Sequence, residues 1–158
     1  MRFRMAGMPQ CWLRGRRGMD RLACAWVFPI LRTETMQIDH LILRVADAAR
    51  SISFYQQVLA LPHTSAPPFE VLRLGNACVI DLLEQAPTDP VHLALEVDRK
   101  AFEAVYQRLR TLGLPFGGDA FTRDGGIGWQ YGARGWADAL YFHDPDLHSI
   151  EVRTYDAA

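Results

Sequence analysis

Two histidines and two carboxylates recur at matching places in this chain. His40 opens HLILRV, residues 40–45, and His92 opens HLALEV, residues 92–97. Asp81 sits in VIDLL and Glu151 in SIEVR, each in the last alternating stretch of its half. Imidazole and carboxylate together form a ligand inventory for a borderline divalent metal: Fe, Mn, Ni, Co or Zn. Two His and one carboxylate leave coordination positions open, which is what a substrate or oxygen requires. Taken singly, a histidine or carboxylate in a strand is an ordinary polar residue. The repetition at equivalent positions is what points to a metal.

The elements that must hold these residues follow from periodicity. In HLILRV, Leu41, Leu43 and Val45 share one strand face and suit packing on a helix; His40 and Ile42 share the other. A helical pattern follows each first strand. Residues 48–59 place Ile52, Tyr55 and Leu59 on one stripe, and residues 100–112 place Phe102, Val105, Leu109 and Leu112 on another. Gly113 suits the end of the second helix. Strands are expected at 70–74 and 77–83, with Gly75-Asn76 as the turn, then near Phe116, at 139–143 and at 149–154. A Gly-rich loop, 124–128, interrupts the second set. Each half reads β-α-β-β-β, so the expected fold class is α+β, built from two such modules at about 36–86 and 91–156. QAPTDP, residues 85–90, is the linker. One module alone could hardly bury its sheet face, whereas two together can.

Charge divides the chain. Residues 1–35 carry seven Arg against Asp20 and Glu34, whereas residues 36–158 carry ten basic and sixteen acidic side chains. An acidic body argues against nucleic acid as the partner. Residues 1–35 have no period and read as a poorly ordered extension. Their apolar run, 22–31, is too short to span a bilayer, and the Arg16-Arg17 pair before it lacks a following small-residue cleavage site. The domain is therefore expected to be 36–158, and a chain begun at Met36 to fold alone. Cys11, Cys24 and Cys78 form neither a disulfide framework nor a zinc motif. That suits a reducing, cytoplasmic setting with no membrane association.

IDHLILRVADAARSISFYQQVLAL, residues 38–61, and LYFHDPDLHSIEVR, residues 140–153, resemble the opening and closing segments of the vicinal oxygen chelate superfamily. That superfamily includes glyoxalase I, extradiol dioxygenases and the fosfomycin- and bleomycin-resistance proteins. The resemblance covers 37–155 and leaves the first 35 residues unmatched. It implies cupped sheets around a divalent metal, with His40, His92 and Glu151 as ligands and Asp81 where some members place a fourth. It also implies a small oxygen-bearing substrate, a lyase/isomerase or dioxygenase type of reaction, and a homodimer, in which the site is sometimes assembled between copies. Polarisation of substrate oxygens is the chemistry such an ion supplies. Glu151 is a candidate base as well as a ligand. Tyr141, ten residues earlier, resembles a metal-cup tyrosine, although strand parity cannot be carried across the intervening turn. The other class the resemblance admits is a metal-free drug- or small-molecule-binding protein.

Family members usually have Gly where this chain has Leu147, so the turn is expected to be built differently. His148, three residues from Glu151, is expected to face away and cap that turn. Arg134 and Trp136 are either substrate contacts or ordinary loop residues, while His63 and His143 have no role assigned by pattern.

Overall fold

The structure, a computed structural model, describes residues 36–75 and 77–157. The extension expected over 1–35 lies outside the described residues, as does Asn76.

The first module runs β1 (His40–Val45), α1 (Ala48–Leu59), β2 (His63–Ala66), β3 (Phe69–Leu74) and β4 (Cys78–Glu84). Its sheet has the order β1-β4-β3-β2, with β1 and β4 parallel and the other pairs antiparallel. The second runs β5 (His92–Glu96), α2 (Arg99–Thr111), β6 (Phe116–Gly117), β7 (Gly128–Gly132), β8 (Gly135–His143) and β9 (Ser149–Thr154). Its sheet has the order β5-β9-β8-β6, and β7 also pairs with β8. The α+β class and the doubled arrangement are those expected.

Both helices start on an aspartate. Asp47 accepts from the Arg50 amide at 3.0 Å and Asp98 from the Ala101 amide at 2.7 Å, which satisfies amides that have no partner within the helix. α1 has the expected bounds, but Tyr55 and Val58 are its fully buried large residues, with Ile52 and Leu59 only partly covered. α2 ends at Thr111, so Leu112 is its exposed cap rather than part of the stripe. Gly113 follows at φ 65, a left-handed conformation that glycine adopts without strain.

Two strands were not expected. β2 is mostly polar, HTSA. β7, GWQYG, carries a glycine at each end and reads as loop. Gly128 is needed there because a Cβ would lie 1.7 Å from the Gly118 carbonyl oxygen. The glycine that disguises the strand in sequence is what lets two backbones meet. β6 and β7 thus occupy successive parts of one edge of β8.

The two modules share one core. Leu43, Val45, Tyr55, Leu72, Ile80 and Leu82 of the first pack in a cluster with Phe102, Leu109, Leu140, Phe142, Ile150 and Val152 of the second. The turn between β8 and β9 fastens them. Asp144 accepts from the buried Tyr55 hydroxyl at 2.9 Å, and Asp146 accepts from Arg50 at 3.0 Å and from Ser51 at 3.3 Å. Desolvation, and then the Asp144 charge, push the Tyr55 pKa far up, so it remains a hydrogen-bond donor. Tyr55→Phe should destabilise the fold by about 2 kcal/mol, because it leaves a buried carboxylate oxygen without its donor. Urea unfolding checks this, and an unchanged midpoint would mean that the clasp contributes nothing.

The turn expectation for Leu147 is corrected. Leu147 itself adopts the left-handed conformation, φ 68, in place of a glycine. The Asp144 side chain accepts from the amides of Asp146 at 3.0 Å and His148 at 2.8 Å, and Leu147 N donates to the Asp144 carbonyl. These bonds hold a conformation that Leu would not choose alone. The expectation that the His148 side chain caps the turn is also corrected: it is buried, accepts from the Val91 amide at 3.0 Å and meets the Arg44 carbonyl at 2.8 Å, joining the two modules. It is therefore the tautomer with the proton on Nε2.

Because the shared core takes the helix-side faces, the opposite faces lie outside that core: they are open around His40 and His92, although Tyr141, Glu151 and Arg153 on the second are buried. Ile38 and Ile42 beside His40 are 69% and 52% exposed. Those open faces carry the candidate ligands.

Candidate metal centre

The alternating pattern of SIEVR sends Ile150 and Val152 into the core and Glu151 and Arg153 to the open face. Parallel pairing with β5 sets Ala94 beside Glu151, so His92, two residues earlier, shares that face. His92 Nε2 lies 3.2 Å from Glu151 Oε2, and His92 Nδ1 lies 3.3 Å from Ser149 Oγ. The pair is asymmetric: the His92 side chain is 49% exposed and that of Glu151 only 4%.

Tyr141 completes this corner. It stands directly opposite Glu151 in the β8–β9 ladder, on the same face. Its ring stacks on that of His92, with centroids 5.9 Å apart and planes 19° apart. Burial, reinforced by the neighbouring Glu151 carboxylate, pushes its pKa up to about 12. The phenol therefore keeps its proton at neutral pH and is available as a donor.

Arg153 is the residue that pattern reading passed over. Its Nη1 lies 3.1 Å from Glu151 Oε1, and its Nη2 donates to the Gln130 carbonyl at 3.0 Å. The guanidinium is buried, and Oε1 has no aligned hydrogen-bond partner. Strand parity alone places a basic residue two positions from Glu151 on the same face. That was the available signal.

The first sheet repeats the arrangement in register. Ile42 pairs with Asp81 as Ala94 pairs with Glu151, so His40 and Asp81 share the open face. His40 Nδ1 lies 2.8 Å from Asp39 Oδ2, and this hydrogen bond raises the His40 pKa. Among the described residues, no three His, Cys, Asp or Glu side chains come together closely enough to hold a metal ion. One chain thus brings His92, Glu151 and Tyr141 together and leaves His40 apart, with Asp81 on the same separate face.

The remaining candidates fall elsewhere. His63 contacts Glu70 at 2.6 Å, and His143 accepts from Arg123 at 3.1 Å. Desolvation, and then the Arg123 charge, lower the His143 pKa. Arg134 pairs with Glu96 and lies over the Tyr155 ring. Trp136 pairs with Tyr131, and by strand parity it faces away from Tyr141.

The donor set suits a divalent metal in part. An imidazole nitrogen and the carboxylate oxygen Oε2 project from adjacent strands, while the other oxygen, Oε1, has no aligned hydrogen bond among the described residues and lies 3.1 Å from Arg153 Nη1. Two donors fall short of the three or four such an ion takes from protein.

The model of the Glyoxalase/Bleomycin resistance protein/Dioxygenase superfamily matches residues 37–152. Among solved structures, this chain is similar to Oxidase ChaP-H2, with 28% identity and a TM-score of 0.68 over 78% of this chain and 97% of that one. A glyoxalase/dioxygenase from Nostoc punctiforme shares 21% identity, with a TM-score of 0.57 over 77% of this chain and 92% of its own. Lactoylglutathione lyase from Agrobacterium tumefaciens shares the fold at 16% identity, with a TM-score of 0.57 over 77% and 95%. No match was found among curated proteins.

Proposed function

The chain belongs to the Glyoxalase/Bleomycin resistance protein/Dioxygenase superfamily, and from that premise we propose a divalent-metal-dependent enzyme acting on a small oxygen-bearing substrate. The reaction is of dioxygenase or lyase/isomerase type. The similarity to Oxidase ChaP-H2 at 28% identity favours oxidative chemistry. The observation that carries the reading is the His92–Glu151 pair, an imidazole nitrogen and the carboxylate oxygen Oε2 brought together from adjacent strands. His92 and Glu151 would hold the ion, and His40 of a second copy would supply the third donor. Lewis-acid polarisation of substrate oxygens is what the ion would add. This reading makes the working unit a homodimer, in keeping with sheet faces that leave Ile38 and Ile42 exposed. The domain, 36–158, and its cytoplasmic setting belong to the same proposal. No helix among the described residues is long and apolar enough to cross a membrane.

Tyr141 has the role of a donor to a substrate oxygen, and Glu151 can also take a proton from a substrate carbon or hydroxyl. Tyr141→Phe should lower turnover by roughly 10²-fold while metal content and melting temperature hold. Unchanged turnover would remove the phenol from the chemistry.

One observation favours a second reading. Arg153 and His92 both lie beside Glu151, so its charge has company without an ion. A metal-free small-molecule-binding protein would need nothing more. Metal analysis separates the two. Protein reloaded with Fe, Mn, Co, Ni or Zn and then desalted should retain about one ion per site, whereas no retention under any loading would leave the binding protein.

A further inference from the structure

Arg153 is the least expected group on the open face. It is a cation, 7% exposed, on the same face as a carboxylate meant to hold a divalent cation. Its position is fixed from several sides. Nη2 donates to the Gln130 carbonyl, and the guanidinium carbon lies 5.1 Å from the centre of the Tyr155 ring. It also rests against Gly132, where an added Cβ would come within 1.9 Å of Nη1. Gly132 thus leaves room for this side chain. The first module has Leu83, not a cation, two positions after Asp81, so the feature belongs to the second site alone.

We infer that Arg153 is a built-in counter-ion that holds Glu151 through Oε1, leaves Oε2 to face His92, and sets the metal affinity of the site below what its donors would give alone. The inference rests on the proposed metal-dependent function. Its physics is direct. In a buried setting a guanidinium stabilises the carboxylate when no ion is bound, because a lone buried carboxylate is strongly disfavoured. Once a dication shares that carboxylate, the same guanidinium becomes a nearby like charge. One residue therefore stabilises the metal-free protein and weakens metal binding. A site tuned in this way releases or exchanges its ion readily, and Glu151 would bind through one oxygen rather than two.

The test compares the full chain with Arg153→Met, Arg153→Lys and Gly132→Ala. Two quantities are read: the melting temperature of the metal-free protein, and the dissociation constant for Co²⁺ by calorimetric titration. Arg153→Met should melt lower when metal-free yet bind Co²⁺ at least about tenfold more tightly, about 1.4 kcal/mol. Arg153→Lys, which keeps the charge, should stay near wild type. Gly132→Ala pushes the guanidinium aside without removing it and should tighten binding by a smaller factor. It keeps the test alive if Arg153→Met fails to fold. A purely structural Arg153 would make both stability and affinity fall. Unchanged or weaker Co²⁺ binding in Arg153→Met and Gly132→Ala, with wild type binding normally, would overturn the inference and leave the metal reading standing. Binding by Arg153→Met but not by wild type would support it. No binding by any of the four proteins would overturn both.

Discussion

Replacing His92 by alanine should weaken divalent-metal binding by roughly 100-fold or more, given what each ligand contributes to a protein site. The fold should survive. His92 is half exposed, and among the described residues its polar contacts are Ser149 and Glu151, with its ring stacked on Tyr141. Its loss takes one partner from the buried Glu151 carboxylate, which Arg153 still accompanies, so stability should fall by about 1 kcal/mol. The two effects are therefore separable: metal retention after desalting should collapse while the melting temperature of the metal-free protein drops only slightly. Exposure sharpens the comparison with Glu151. A substitution there removes a proposed ligand but also strands Arg153, so its consequences mix binding with folding. His92→Ala is the cleaner probe. Retention of metal at wild-type level in this variant would show that the ion is held elsewhere.

Period-two alternation is a rule of local geometry, and it carried most of what could be read early. It put Leu41, Leu43 and Val45 toward the helix, and it put His40 and His92 on the opposite faces. The repeat matched Asp81 to Glu151, and the structure gives both the same register, with Ile42 beside Asp81 and Ala94 beside Glu151. Parity breaks at turns, which is why Tyr141 was placed by family likeness alone. Only the ladder, Tyr141 opposite Glu151, fixes its face. β7 escaped for a different reason. Of its flanking glycines, Gly128 serves a backbone contact with Gly118 and Gly132 leaves room for Arg153, so both answer to partners outside the strand while reading as loop. Leu147 misled because residue preference was weighed without the Asp144 bonds that hold the turn. His148 misled because its partners, Arg44 and Val91, lie far away in the chain. Local rules found the candidate ligands, but the relation between the modules depends on long-range packing. That relation decides whether His40 meets the other two.

A mixture of two dead variants should bind metal if the site is shared between copies. In one chain the helix-side faces pack together, and the faces bearing His40 and His92 are both left open. No three donors gather among the described residues of that chain. A two-fold dimer that apposes the open faces would bring His40 of each copy to His92 and Glu151 of the other. His40→Ala and His92→Ala would then each lack one donor at every site of their own homodimers. Pairing the two variants in one dimer restores one complete site: the His40→Ala chain supplies His92 and Glu151, and the His92→Ala chain supplies His40. The opposite site lacks both histidines. Random pairing should thus recover about a quarter of the wild-type metal, from dimers that are half heterodimer with one good site each. Co-expression with two affinity tags, tandem purification and metal analysis would isolate the heterodimer, which should hold about half the wild-type content. If the site lies within one chain, neither the mixture nor the purified heterodimer should bind more than the separate variants. Full retention by His40→Ala on its own would also exclude the shared site, because the residue carried by the other copy would then be dispensable.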